Sequence, residues 1–179
     1  MINERKIKGP EDLKEISPDL FPLPVFSYAI GSPVASLIAA KEKGVYNHYM
    51  WLIDAETIAT QDWIFKQSPV EKYMQGRHAL KFVCMPGWKK LKRAMLKAFI
   101  VRDLDRPWYR RLYDIPAIIG QAINCEWLQI PGFDICSDKA RHLAKVDPRY
   151  NLAHPSPTNI NQWMKQTEGY EVWGRYRLD

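Results

Sequence analysis

The sequence predicts an α+β fold in which an antiparallel sheet packs against helices. Three segments open with Ser-Pro and continue with apolar residues at helical spacing, which is typical of capped helix starts. Other segments alternate apolar and polar residues, which is typical of half-buried strands. A first helix is followed by strands and then by further helices, and this grouping favours α+β over a parallel sheet with alternating helices.

The predicted helices are recognised by their ends. In each Ser-Pro start the serine caps the helix and the proline takes its first position, where a missing N–H costs nothing. Ser68 and Glu71 add a capping box at the second start. The helices are predicted within residues 32–44, 68–74, 88–100, 114–124 and 156–169, with one more following Cys136.

The predicted strands include a hairpin. Segment 46–53 alternates and carries His48 on one face, and segment 57–64 returns after the short turn "DAE" at 54–56. Gln61 is the polar exception on its face of the returning strand. Two further strands are predicted over 78–85 and 170–178.

The chain of 179 residues has the length of one domain and an ordinary globular composition. Residues 1–24 are predicted to form an N-terminal arm, and residues 25–179 the domain itself. No stretch approaches about 18 apolar residues, so no membrane-spanning helix is predicted. The charged N-terminus lacks the apolar core of a signal peptide, which predicts a cytoplasmic protein and leaves later export or delivery in a virion open. Three cysteines are too few for a disulfide framework, so reduced thiols are expected.

Positive charge is concentrated in residues 89–111, which carry +7 while the rest of the chain carries −1. A basic stripe of this kind is typical of a nucleic-acid or anionic-polymer surface. The alternative is a solvated helix face, which the recurrence of Trp88, Leu91 and Met95 at helical spacing favours. On that interpretation Leu91 and Met95 face the core, and nucleic-acid binding is the less favoured function.

One cysteine, Cys136, stands where a helix begins, with Asp134 as the predicted N-cap. A helix N-terminus stabilises a thiolate through its N–H groups and peptide dipoles, so this position suits a nucleophile. Cysteine is also among the residues most often buried as inert core thiols, and the apolar positions that follow fit either role.

A nucleophilic thiol needs a base, and four histidines are available. His142 lies six residues beyond Cys136 on the same helix, about 9 Å along its axis, and is out of reach. His78 is predicted to be exposed, and His154 is a weak candidate just before a helix. His48 is favoured as the base, with a packed core histidine as the alternative.

A third polar residue must orient the imidazole. The start of one hairpin strand lies near the end of the other, so we predict that Gln61 accepts a hydrogen bond from His48. Asp62 is predicted on the opposite face and is the second choice. No Cys-x₂-Cys or His-x₃-His spacing is present, which predicts neither a metal site nor a cofactor.

In their order along the chain, these motifs resemble those of the permuted papain-like hydrolases, the NlpC-type amidase and peptidase superfamily. The resemblance covers residues 25–165. It includes a histidine strand, a turn followed by tyrosine, a Tyr-Asp pair and a thiol motif at a helix start. The matching segments are Tyr46-Asn47-His48, Pro69-Val70 with Tyr73, Tyr113-Asp114 and Cys136-Ser137-Asp138.

The resemblance implies a circularly permuted papain-like fold and a cysteine hydrolase mechanism. Cys136 would attack an amide or ester carbonyl, His48 would take and return the proton, and Gln61 would hold the ring. The backbone N–H of Cys136 would donate to the oxyanion. Cell-wall peptides, isopeptides and lipid acyl groups are the substrates that the family implies.

Three positions depart from the family pattern. Asn47 stands for the usual serine, Asp138 for glutamate, and Gln61 for the third polar residue, which is usually glutamate. A shift of the alignment by one residue would place Thr60 there instead. These departures leave a catalytically degenerate member as an alternative.

Overall fold

The computed structural model describes residues 5–31, 40, 44–112, 114, 116, 135–152, 155–167 and 170–177. The strands are β1 Arg5–Lys6, β2 Leu23–Ala29, β3 His48–Leu52, β4 Thr57–Gln61, β5 Phe65–Pro69, β6 His78–Cys84 and β7 Glu171–Tyr176. The α-helices are α1 Val70–Gln75, α2 Lys90–Leu104, α3 His142–Val146 and α4 Pro157–Gln166. Short 3-10 helices span Pro10–Glu15, Pro18–Leu20, Trp108–Arg110 and Cys136–Arg141. The helices predicted within 32–44 and 114–124 fall largely outside the described residues.

The described strands form one mixed sheet in the order β1-β7-β6-β2-β3-β4-β5. Only the short β1–β7 pair is parallel, so the predicted antiparallel sheet needs that one correction. Helices packed on a largely antiparallel sheet are consistent with an α+β fold. Among the described residues, no helix is long and apolar enough to cross a lipid bilayer.

The sheet separates two apolar layers. One face carries Phe26 and Trp51, which pack with α2, α4 and the helix that begins at Cys136. The other face carries Val25 and Met50, which pack with α1 and the N-terminal segment. Successive residues of β2 and β3 therefore bury side chains in opposite layers, which explains why these strands are apolar almost throughout.

The N-terminal arm packs against the sheet. Arg5 and Lys6 pair with β7, and Ile7 and Leu13 are buried in the second layer. A Cβ at Gly174 would lie 2.5 Å from the Cδ1 of Ile7, so this close approach of the arm requires glycine.

Two of the Ser-Pro starts have different outcomes. Ser156 caps α4 as predicted, and its hydroxyl accepts from the Asn159 N–H at 3.3 Å. The capping box predicted at Ser68 is wrong, because Ser68 and Pro69 end strand β5 and α1 begins only at Val70. Ser68 pairs with β4 in the sheet, and this long-range ladder overrides the local capping signal.

The prediction that Leu91 and Met95 form the buried face of α2 is also wrong. Leu91 is 73% exposed and Met95 is 41% exposed, whereas Leu96 and Ile100 are fully buried. The cause is Arg93, whose guanidinium is buried and donates to the carbonyls of residues 20, 85 and 88. These three hydrogen bonds turn the Arg93 side of the helix inward and leave the Leu91 side in solvent.

Two leucines on this helix should therefore respond differently to truncation. We expect Leu96→Ala to lower the free energy of unfolding by about 2–5 kcal/mol because it leaves a core cavity. We expect Leu91→Ala to change it by less than about 0.5 kcal/mol because this side chain is solvated. Urea denaturation of the two variants measures the difference. Equal losses of unfolding free energy would contradict the burial of the Leu96 face of α2.

Candidate active site

The β3–β4 hairpin decides which polar side chains share a face with His48. The Ile53 N–H donates to the Thr57 carbonyl at 2.9 Å, so the turn enclosed by this last pair is the three residues 54–56, and the ladder pairs Met50 with Thr60. His48 and Asp62 each stand two residues beyond this pair, and the Nε2 of His48 lies 3.8 Å from the Asp62 carboxylate. His48, Thr60 and Asp62 therefore lie on one face of the hairpin.

A chain of hydrogen bonds links His48 to Asp62 through Thr60. The Nε2 of His48 lies 2.9 Å from the Thr60 hydroxyl oxygen, and that hydroxyl donates to Asp62 Oδ1 at 3.2 Å. A hydroxyl has one proton, and here it goes to Asp62, so the oxygen accepts from Nε2–H. The Asp62 carboxylate, 3.8 Å from Nε2, acts on the ring both through this hydroxyl and by its charge.

Asp62 is itself held in place by Tyr73 and Lys66. The Tyr73 hydroxyl lies 2.9 Å from each carboxylate oxygen, and the Lys66 ammonium lies 3.5 Å from one of them. Burial opposes the charged carboxylate, but the Tyr73 hydrogen bond and the charges of His48 and Lys66 keep the pKa of Asp62 below its usual value. Burial and the Asp62 charge hold the pKa of Tyr73 far above its usual value, so Tyr73 remains a donor.

Cys136 begins the 3-10 helix and is buried, with 5% of its surface exposed. Its position is set by Asp138, whose carboxylate accepts from the Ile135 N–H at 2.9 Å. The helix is joined to β3 by the Trp51 indole, which donates to the Lys139 carbonyl at 3.3 Å. Ile135 is the N-cap, which corrects the prediction of a cap two residues before Cys136. Asp134, the predicted cap, lies outside the described residues.

His48 and Cys136 interact directly. Burial acts to lower the pKa of His48, but the charge and hydrogen bond of Cys136, together with the charge of Asp62, raise it above its usual value. Because Nε2 already bonds Thr60, the ring nitrogen left for the thiol is Nδ1. The Cys136 thiol and the Asp62 carboxylate both favour the charged form of this ring, and an imidazolium beside a thiol stabilises the thiolate.

Gln61 does not orient His48, and that prediction is corrected by the register. Its amide donates to the Arg111 carbonyl at 2.9 Å, and its Oε1 has no hydrogen-bond partner among the described residues. Gln61 follows Thr60 in β4, so its side chain lies on the other face of the hairpin. The length of the "DAE" turn contained the missed signal, since a three-residue connection places residues 48 and 62 on one face.

His142 is buried away from the thiol, in agreement with its exclusion as a base. Its Nε2 lies 2.8 Å from the Asp103 carboxylate on α2. The Lys139 ammonium lies 3.8 Å from the same oxygen. His142 therefore joins α3 to α2 rather than serving Cys136.

The other predicted histidines and cysteines differ in what the structure describes. His78, predicted to be exposed, is half-buried, with its Nδ1 lying 3.1 Å from the Ser27 hydroxyl. Burial, and then the charge of His48, lowers the pKa of His78. Cys84 is a core thiol whose pKa is raised by burial. His154, Cys125 and Tyr113 lie outside the described residues.

Within the described ranges, no group of three or more His, Cys, Asp or Glu side chains is arranged to hold a metal ion. Comparison with protein-family models gives no match, and comparison with curated proteins gives none either. The geometry of His48, Cys136, Thr60 and Asp62 is therefore the basis for any assignment of function.

Asp62→Asn and Thr60→Val should each lower the pKa of His48. Each change weakens an interaction that favours the charged ring, so the imidazolium should lose its proton at lower pH. NMR titration of the imidazole resonances measures this directly. Gln61→Met, on the other face of the hairpin, is the matched control and should leave the pKa of His48 unchanged. An unchanged His48 titration in Asp62→Asn would contradict the proposed contact.

Proposed function

We propose that this protein is a cysteine hydrolase that cleaves an amide or ester bond by acyl transfer through Cys136. The observation that supports it best is that His48 interacts both with the Cys136 thiol and with the Thr60–Asp62 pair. A nucleophile, a base in contact with it and a group that orients the base are the parts that thiol catalysis needs.

In the acylation step, His48 holds the proton taken from Cys136. The thiolate attacks the substrate carbonyl carbon, and the backbone N–H of Cys136 donates to the oxyanion that forms. The bond to the leaving amine or alcohol then breaks, and the His48 imidazolium gives its proton to that group. An acyl thioester on Cys136 remains.

In the deacylation step, neutral His48 removes a proton from water, and the resulting hydroxide attacks the thioester carbonyl. The carbon–sulfur bond breaks, the acid leaves, and His48 returns its proton to Cys136. Thr60 and Asp62 keep Nε2–H occupied throughout, so that Nδ1 stays directed at the sulfur.

We also propose that the domain is a circularly permuted papain-like fold of the NlpC-type superfamily. Its support is the order of motifs, with the histidine strand before the thiol, and the packing of the Cys136 helix on β3. Asp62, reached through Thr60, takes the third position that the family usually gives to glutamate. The resemblance implies cell-wall peptides as the first substrates to test, then isopeptides and lipid acyl groups.

Cys136 should be the most reactive thiol of the chain. Iodoacetamide near neutral pH should modify Cys136 before Cys84 and Cys125, because a thiolate beside an imidazolium outcompetes ordinary thiols. His48→Gln should slow its labelling about tenfold or more, since the imidazolium is lost. Peptide mass spectrometry over a time course measures all three rates. Equal labelling of the three thiols would count against the nucleophile.

The hydrolase itself is tested with a p-nitrophenyl ester and a panel of cell-wall peptides. We expect an acyl group on Cys136 by mass spectrometry, none in Cys136→Ser, and a loss of about 10²–10⁴ in turnover in His48→Gln. The alkaline limb of kcat/KM should lie above pH 6.5, the usual pKa of histidine, and should move to lower pH in Asp62→Asn. Gln61→Met should leave the limb in place. Absence of acylation with every substrate would favour the degenerate alternative.

A further inference from the structure

The outward face of α2 carries an apolar ridge. Because α2 buries Leu96 and Ile100, the residues half a turn away face solvent. Leu91 and Met95 stand one turn apart at the centre of this face, 73% and 41% exposed. The exposed apolar residues of this outer ridge are Leu91, Ala94, Met95, Ala98 and Val101.

Positive charge flanks the outer ridge on both sides. At 100° per residue, Lys90 and Lys97 lie along one flank and Lys92 along the other. Beyond the helix, Trp108 and Tyr109 are exposed, with ring centroids 6.1 Å apart. Of the eight large apolar side chains that the described part of the chain exposes, five lie between residues 91 and 109. Exposed apolar surface and excess cationic charge therefore coincide on α2 and the segment that follows it.

A cavity of about 360 Å³ opens beside the ridge, between α2 and α3. Its apolar lining includes Leu91, Met95 and Val146, and three lysines line it too, Lys89, Lys92 and Lys145. One of them, Lys92, pairs with the buried carboxylate of Asp147 at 3.1 Å. An apolar lining beside the ammonium groups of Lys89 and Lys145 is complementary to an anion that carries an apolar tail.

Other occupants fit this surface less well. A second copy would bring another +7 segment against the first, and like charges repel. A nucleic acid would use the lysines and the exposed aromatic pair, but an aliphatic ridge adds nothing to phosphate contacts or base stacking. An anionic bilayer uses both features, since apolar side chains enter its boundary and lysines reach its phosphates.

We propose that α2 and the turn after it form a docking surface for an anionic lipid bilayer. The outer ridge enters the boundary between headgroups and acyl chains, and Lys90 and Lys97 extend to the headgroup phosphates. Trp108 and Tyr109 lie at the headgroup level, where such rings are favoured. This role is peripheral and independent of the chemistry of Cys136.

The test is co-sedimentation of the full chain with vesicles of phosphatidylglycerol and phosphatidylcholine in equal parts. We expect binding that weakens with added salt, and little binding to pure phosphatidylcholine. Leu91→Ser with Met95→Ser should lower the partition coefficient about tenfold or more. Lys90→Gln with Lys97→Gln should lower it about fivefold for each charge removed.

Matched variants place the same chemical changes elsewhere. Val45→Ser alters an exposed apolar residue off the ridge, and Lys72→Gln with Lys165→Gln removes two exposed charges from α1 and α4. These variants should bind as the unaltered chain does. Thermal unfolding should be unchanged in the ridge variants because their substituted side chains are exposed.

Several outcomes would overturn the proposal. Equal binding to neutral vesicles, or binding that the ridge variants keep, would show that the surface does not dock on anionic lipid. Submicromolar, salt-sensitive binding to duplex DNA that survives Leu91→Ser with Met95→Ser would assign the surface to nucleic acid instead. A dimer in light scattering that the same double variant dissociates would assign it to self-association.

Discussion

The register of the β3–β4 hairpin is the constraint on which the candidate site depends. A three-residue connection pairs Met50 with Thr60 and so brings Thr60 and Asp62 to the face of His48. A connection longer by one residue would bring Gln61 to that face and turn the carboxylate away, because side chains alternate along a strand. The Tyr73 hydroxyl, bonded to both oxygens of Asp62, then secures what the register has positioned.

Buried ionic groups hold the layer that contains the thiol. Asp103 on α2 pairs with His142 and lies near the Lys139 ammonium, which also stands 4.5 Å from the ring of Phe65. Burial opposes the charge of Asp103, but the His142 hydrogen bond and neighbouring cations keep its pKa below the usual value. Charges of this kind tolerate burial only with partners in place, so α2 and the Cys136 helix are positioned together. The same helix α2 thus supports the site on one face and presents the outer ridge on the other.

Local signals predicted much of the fold. The strands around His48, Thr57 and His78, and the cap at Ser156, follow from alternation and N-cap chemistry within a few residues. Ser68 carries the same capping signal but lies in β5, because pairing with β4 satisfies its backbone instead. Strand β2 was missed because prolines surround and enter it, which makes its alternation hard to recognise.

By itself the sequence determined that a thiol begins a helix, that a histidine begins a hairpin strand and that residues 89–111 are strongly basic. Those properties follow from spacing and composition within a single segment. The length of the turn at 54–56 is a local property, and it sets the face on which Asp62 lies. Only the tertiary structure decided that the helix beginning at Cys136 packs on β3, and that Leu96 rather than Leu91 is buried. The physical reason is the same for both: the orientation of a helix with polar and apolar residues on each face is selected by partners distant in sequence, here the Trp51 indole that donates to the Lys139 carbonyl and the Leu20 carbonyl that binds Arg93.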